Sequence, residues 1–122
     1  MDRVSNTADY LVKLDRDMTA GFLHLLILQN LQVHQLLHGY GLIKTMEETT
    51  GGRGLWKEGT IYPLLAQMEK EGLVKSRWGE GADGPRRKYY ELTPAGRQVL
   101  RLAKLQWHDL RAMLDDILET KK

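Results

Sequence analysis

Polar and apolar positions follow two rhythms along this chain, and the point where one gives way to the other marks its organising segment. In residues 58–71, Ile61, Leu64, Leu65 and Met68 recur at i, i+3, i+4 and i+7, which puts four apolar side chains on one face of a helix. Thr60, Tyr62, Pro63, Gln67 and Lys70 then look outward. Pro63 belongs in the first turn, where its missing N–H is not needed, and Gly72 stands where a left-handed residue would end the helix. The helix is short, about 11 to 13 residues. After Gly72 the period changes: LVKSRW at 73–78 and RKYYEL at 87–92 are β-prone runs. Between them Gly79, Gly81, Asp83, Gly84 and Pro85 make a loop that no helix would tolerate.

Upstream, residues 18–37 are apolar around much of a helical circumference, predicting a buried helix with Leu23, Leu26, Ile27 and Leu31 in the core. Tyr10, Leu11 and Leu14 suggest a short amphipathic stretch before it. His38, Gly39, Tyr40 and Gly41 break the pattern, and Leu42, Ile43 and Met46 restart it as a short second helix to about residue 48. TTGGRG at 49–54 reads as a loop, after which Leu55 and Trp56 return to the core. Thr93 and Pro94 supply an N-cap and a first helical residue, and no breaker follows Gly96 until about residue 119. Leu100, Ala103, Trp107, Leu110, Leu114 and Ile117 form a heptad seam on that last helix. Such a helix is roughly 38 Å long, more than so small a bundle can cover, so a second copy is the simplest partner, held by Leu100, Leu110, Leu114 and Ile117.

The fold class is therefore mostly α with a small β-hairpin. Residues 18–92 form a winged helix-turn-helix domain behind an N-terminal extension (1–17), and a long C-terminal dimerisation helix (93–122) follows. In a winged helix-turn-helix, the last helix of the motif enters the major groove and the hairpin lies along the backbone or minor groove. Thr60, Tyr62, Pro63, Gln67 and Lys70 on the helix and Arg86, Arg87 and Lys88 on the hairpin are the candidate DNA contacts. Strand alternation sends Arg86 and Lys88 to one face and Arg87 to the other, so at least one of them is open to serving the fold instead. Tyr89 and Tyr90 read as core or strand-pairing residues.

Charge supports this placement. Residues 1–52 hold four basic and six acidic side chains, residues 53–101 ten and six, and residues 102–122 four of each. The positive excess coincides with the helix and hairpin, the footprint of a phosphate-binding face; a solvated basic surface is the alternative that charge alone leaves open. With 122 residues and 42% hydrophobic content the chain makes one ordinary globular domain. It has no cysteine, no apolar run long enough to span a bilayer and no signal-peptide pattern at its start, so a cytoplasmic location is expected. His34 and His38 stand one helical turn apart, but two ligands do not make a metal site, and no nucleophile and base arrangement or phosphate-cradling glycine loop is present. Neither an enzyme nor a cofactor is expected.

HGYGLIK at 38–44, EGTIYPLLAQMEKEGLV at 58–74 and GPRRKYYELTPAGR at 84–97 resemble the PadR family of transcriptional regulators, over most of positions 18–107. The resemblance implies a winged helix-turn-helix with a C-terminal dimerisation helix, and repression usually relieved by small aromatic effectors. The chain ends after one such helix, which looks like the family's short, LmrR-like branch. By position, Tyr62 corresponds to a motif tyrosine that approaches the DNA backbone, and Arg86, Arg87 and Lys88 to the basic wing. Trp107, flanked by Ala103 and Leu110, matches the place where that branch stacks flat aromatic molecules between paired tryptophans. Ala66 and Gln67 replace basic residues of many relatives, which shifts phosphate binding toward the wing. Two other readings stay open: a winged-helix module that docks an acidic protein, and a DNA binder without effector.

Overall fold

The computed structural model describes residues 3–52, 57–79 and 86–120. Leu55, Trp56 and the loop residues Gly81, Asp83, Gly84 and Pro85 lie outside the described residues. The order of elements is α1 (Arg3–His34), β1 (Leu37–His38), α2 (Gly39–Thr49), α3 (Glu58–Lys70), β2 (Val74–Gly79), β3 (Arg87–Leu92) and α4 (Pro94–Leu118). The three strands form one antiparallel sheet in the order β1-β3-β2, with Trp78 opposite Lys88 and Leu37 opposite Tyr90.

Helix α1 begins well before residue 18 and runs unbroken through what the pattern reads as a separate extension. Its second half is anchored by Leu23, Ile27, Leu28 and Leu31, while Leu26 is only partly buried and Leu28 takes the place expected for it. The helix also stops short of residue 37. Gln35 turns left-handed at φ 66°, its N–H still bonded to the Leu31 carbonyl at 2.9 Å, and the chain leaves the helix there. Leu37 and His38 then pair with β3, a two-residue strand too short to leave a periodic signature.

The break between the first two helices falls at residues 35–38, and Gly39, Tyr40 and Gly41 already belong to α2. The Nδ1 atom of His38 accepts from the Gly41 N–H at 2.9 Å, so a histidine does the N-capping work usually left to Ser, Thr, Asn or Asp. Helix α3 starts at Glu58, which places Pro63 in its second turn and not its first. Its end is as expected. Gly72 adopts φ 79° and donates to the Glu69 carbonyl at 3.0 Å, and the Leu73 N–H reaches back to Met68 at 2.9 Å, the paired bonds of a Schellman motif.

At the start of α4, Thr93 Oγ1 accepts from the Gly96 N–H at 3.0 Å and donates to the Gly72 carbonyl at 2.6 Å. A side chain at Gly96 would overlap the Leu73 carbonyl, so this glycine lets the last helix press against the turn that ends α3. The core joins Ile27, Leu31, Leu42, Met46, Ile61, Leu65, Val74, Tyr90 and Leu92. Leu100 belongs to it as well, only 3% exposed, and is therefore spent inside the protomer and unavailable to the free seam expected of it.

Candidate nucleic-acid interface

With Ile61, Leu65 and Met68 turned into the core, α3 leaves Thr60, Tyr62, Pro63, Gln67 and Lys70 along its other side. The Tyr62 ring leans back over Gly39, where any Cβ would collide with it, so the first residue of α2 sets where the phenol lies. Burial, then Glu58, then Tyr90 push that phenol above its ordinary range. It stays protonated at neutral pH and is free to donate to a phosphate oxygen.

The wing is tied to α3 by Glu69, near the end of that helix. Glu69 accepts from the Ser76 hydroxyl on β2 and pairs with the Lys88 ammonium on β3 at 3.6 Å. The ammonium also lies 5.7 Å from the centre of the Tyr90 ring. Burial and then Glu69 push the Tyr90 phenol up. Lys88 is therefore half-buried and engaged in holding the hairpin, which leaves Arg86 and Arg87 as the exposed pair at its base. They point differently: the Arg86 guanidinium lies 5.7 Å over the exposed ring of Trp78, and Arg87 Nη1 lies 2.9 Å from His38 Nε2. Tyr90 is in the core, and Tyr89 is half-buried against the edge of the His38 ring, with centroids 5.5 Å apart.

Between the start of α2, the start of α3 and the wing lies a cavity of about 410 Å³, lined by His38, Tyr62, Trp78 and all three basic wing residues. Sequence reasoning missed His38, Glu69 and Trp78. The signal for His38 was its place ahead of a glycine and an apolar run, as a cap; its contact with Arg87, 49 positions away, left none.

A second, apolar cavity of about 370 Å³ opens between α1 and α4. It brings together Trp107, Ala103 and Leu110 with Phe22, Leu28 and Met68. Trp107 meets Phe22 edge to face, with ring centres 5.1 Å apart. Leu110 on its rim, and Leu114 and Ile117 farther along α4, are 50%, 52% and 61% exposed. Among the described residues no group of three or more His, Cys, Asp or Glu side chains is placed to hold a metal, and no helix is long and apolar enough to cross a membrane.

A short helix with its polar side free, flanked by a basic hairpin on a three-element helical base, is the layout of a winged-helix regulator of transcription. Residues 27–102 match the PadR-like family of transcriptional regulators, and the chain belongs to that family. A PadR family regulator from Eggerthella lenta has a similar structure, with 31% identity, 96% of this chain and 99% of that one covered, and a TM-score of 0.84. A PadR-like regulator from Bacillus cereus has 30% identity over 86% of this chain and 99% of its own, with a TM-score of 0.73. The transcriptional regulator YqjI of Escherichia coli is 38% identical over 63 residues, 52% of this chain and 28% of that protein. The family's members are regulators of transcription and not enzymes, and this chain is a DNA-binding regulator among them.

Proposed function

We propose that the protein is a homodimeric repressor acting in the cytoplasm on a pseudo-palindromic operator, released by a planar aromatic or hydrophobic effector. The observation that carries the DNA face is the exposed row of Thr60, Tyr62, Gln67 and Lys70 on α3, with Arg86 and Arg87 beside it. Gln67 is the candidate for reading an adenine edge with two hydrogen bonds, and Tyr62, Lys70 and the two arginines address phosphates. The apolar seam of Leu110, Leu114 and Ile117 supports pairing of two α4 helices, since burying each such side chain is worth about 1.5–3 kcal/mol. Two reading helices held about 34 Å apart then meet successive turns of one duplex face.

The cavity lined by Phe22, Ala103, Trp107 and Leu110 is the effector seat. Its volume and apolar lining suit a flat, weakly polar molecule. Met68, on its wall, belongs to α3, so an occupant touches the reading helix as well as the dimer helix. Such a ligand releases DNA by favouring a dimer arrangement whose two reading helices no longer match successive major grooves, and only to the extent that it binds that arrangement more tightly than the DNA-bound one.

Affinity selection of genomic fragments, followed by competition with a panel of planar aromatics, tests the reading. A shared palindrome among the retained fragments is expected, as is release by some of the compounds. The same compounds should quench tryptophan fluorescence, and Trp107→Ala should abolish most of the quenching. Equal quenching in both proteins would remove the effector seat.

A further inference from the structure

We propose that Glu69 is the positioning residue through which the cavity between α1 and α4 controls the wing: its hold on the hairpin and a flat molecule in that cavity oppose each other. The proposal rests on the reading of the cavity as an effector seat, and adds to it a route to the DNA face that runs inside one protomer.

The cavity has two walls that meet again at the wing. Phe22 and Leu28 on α1 form one, Ala103 and Trp107 on α4 the other, and Met68 and Leu73 from the end of α3 line it too. The α4 wall and the end of α3 are one piece. The Leu73 carbonyl accepts from the Thr93 N–H at 3.0 Å, the Gly72 carbonyl accepts from the Thr93 hydroxyl at 2.6 Å, and Gly96 lies against the Leu73 carbonyl. The hairpin is rooted in the same piece through the buried pair Val74 and Leu92. The α1 wall reaches the hairpin from the other side. Past Gln35 it continues into β1, where Leu37 and His38 pair with Tyr90 and Tyr89 in the middle of β3.

Parting the walls therefore tilts the hairpin about its root. Trp107 and Phe22 already touch edge to face, with ring centres 5.1 Å apart. A flat molecule that enters between them parts them by the thickness of one aromatic layer, about 3.5 Å. Backbone pairing carries that displacement from β1 to β3, and β2 follows because six paired positions join it to β3. What resists the tilt is the brace from α3: Glu69 accepts from the Ser76 hydroxyl on β2 and pairs with Lys88 on β3 at 3.6 Å. The Lys88 and Glu69 side chains are 39% and 36% exposed, so this brace is the weakest contact on the path and the one that yields.

Once it yields, Lys88 and the strand that carries it leave their place beside α3, and helix and wing no longer present one surface to a duplex. The contact that aligns the wing for DNA is thus the contact that the occupant of the cavity breaks. By reciprocity, a duplex that holds the wing in place weakens the occupant's binding by the same factor.

The test follows binding of Prodan, a flat and neutral naphthalene dye, by its emission in the absence of DNA, on the wild-type chain, Glu69→Gln, Lys88→Gln and Lys75→Gln. Glu69→Gln keeps an acceptor for the Ser76 hydroxyl and removes only the charge that holds Lys88. Lys75 pairs with Glu91 at 3.5 Å within the hairpin, so its variant loosens the hairpin and leaves the brace in place. Glu69→Gln and Lys88→Gln should bind the dye about two- to fivefold tighter than the wild type, the worth of a half-exposed ion pair, and Lys75→Gln should match the wild type. Dye affinity unchanged in the first two variants, or raised as much in Lys75→Gln, would overturn the proposal. On the wild-type chain alone, the NMR signal of the Trp78 indole N–H, which lies at the other cavity, should shift as dye is added; a signal that stays in place would overturn it too. Dye binding that is lost in Trp107→Ala but indifferent to Glu69→Gln removes this inference only, whereas no dye binding, or binding unaffected by Trp107→Ala, removes the effector seat with it.

Discussion

Helices α3 and α4 are both amphipathic, and their free sides are opposite in character. On α3 the apolar stripe of Ile61, Leu65 and Met68 is consumed by the chain's own core, and what faces solvent is polar. On α4 only Leu100 reaches that core fully, and the stripe continues as exposed Leu110, Leu114 and Ile117. A polar free face costs nothing in water and is available to a charged, hydrated polymer. An apolar free face of this extent calls for cover. Tyr10, Leu11 and Leu14 on the first half of α1 are exposed as well. On the proposed reading, the contrast assigns nucleic acid to α3 and a second copy of the chain to α4.

The largest effects come from exchanging one stripe for the other. Leu65→Ala, which opens a hole in a fully buried site, should cost about 2–5 kcal/mol in urea unfolding. Leu114→Ala should leave the dilute protomer within about 0.5 kcal/mol of the parent, yet weaken self-association in sedimentation equilibrium. Equal costs to the protomer would break the comparison. Next, Gly39→Ala forces the Tyr62 ring from its place over α2, at about 1–3 kcal/mol of stability, and should lower duplex affinity more than it changes dimerisation. Arg86→Gln sharpens the comparison from the wing side. It should reduce the logarithmic salt slope of DNA binding by about 1 while leaving the urea midpoint nearly unchanged.

The smallest effect is on pH. Because His38 binds its proton less readily folded than unfolded, the unfolded chain is protonated first as pH falls. Stability is thus complete above 6.5 and declines below it as pH approaches the lowered folded value. His38→Asn should lose that part of the acid dependence in unfolding curves measured at a series of pH values.

Local periodicity and local stereochemistry were legible in the sequence. Ile61, Leu65 and Met68 announced a helix and its buried side, Gly72 its end, and Thr93 with Pro94 the start of the next. Outward positions on α3 came with that phase. The features that escaped depend on distant neighbours. The first half of α1 buries almost nothing within the protomer, so Tyr10, Leu11 and Leu14 suggested only a short amphipathic stretch and not one helix continuous with the next. Strand β1 exists because β3 offers its edge to two residues. Pro63 could be assigned to a helix but not to a turn, since nothing local showed that α3 begins at Glu58. Likewise, Leu100 and Leu110 share one seam by spacing, and only the packing of α4 against the turn after α3 separates the core residue from the exposed one. At the site, Lys88 and Arg87 looked alike as cations; Glu69 and His38 give them different roles.

Hydroxyl-radical footprinting of a selected genomic fragment tests the central contrast most directly. If α3 meets the duplex while α4 pairs two copies, protection falls in two symmetric patches on one face, about 10 base pairs from centre to centre. A single asymmetric patch that stays the same size when Leu110, Leu114 and Ile117 are replaced by serine would contradict it.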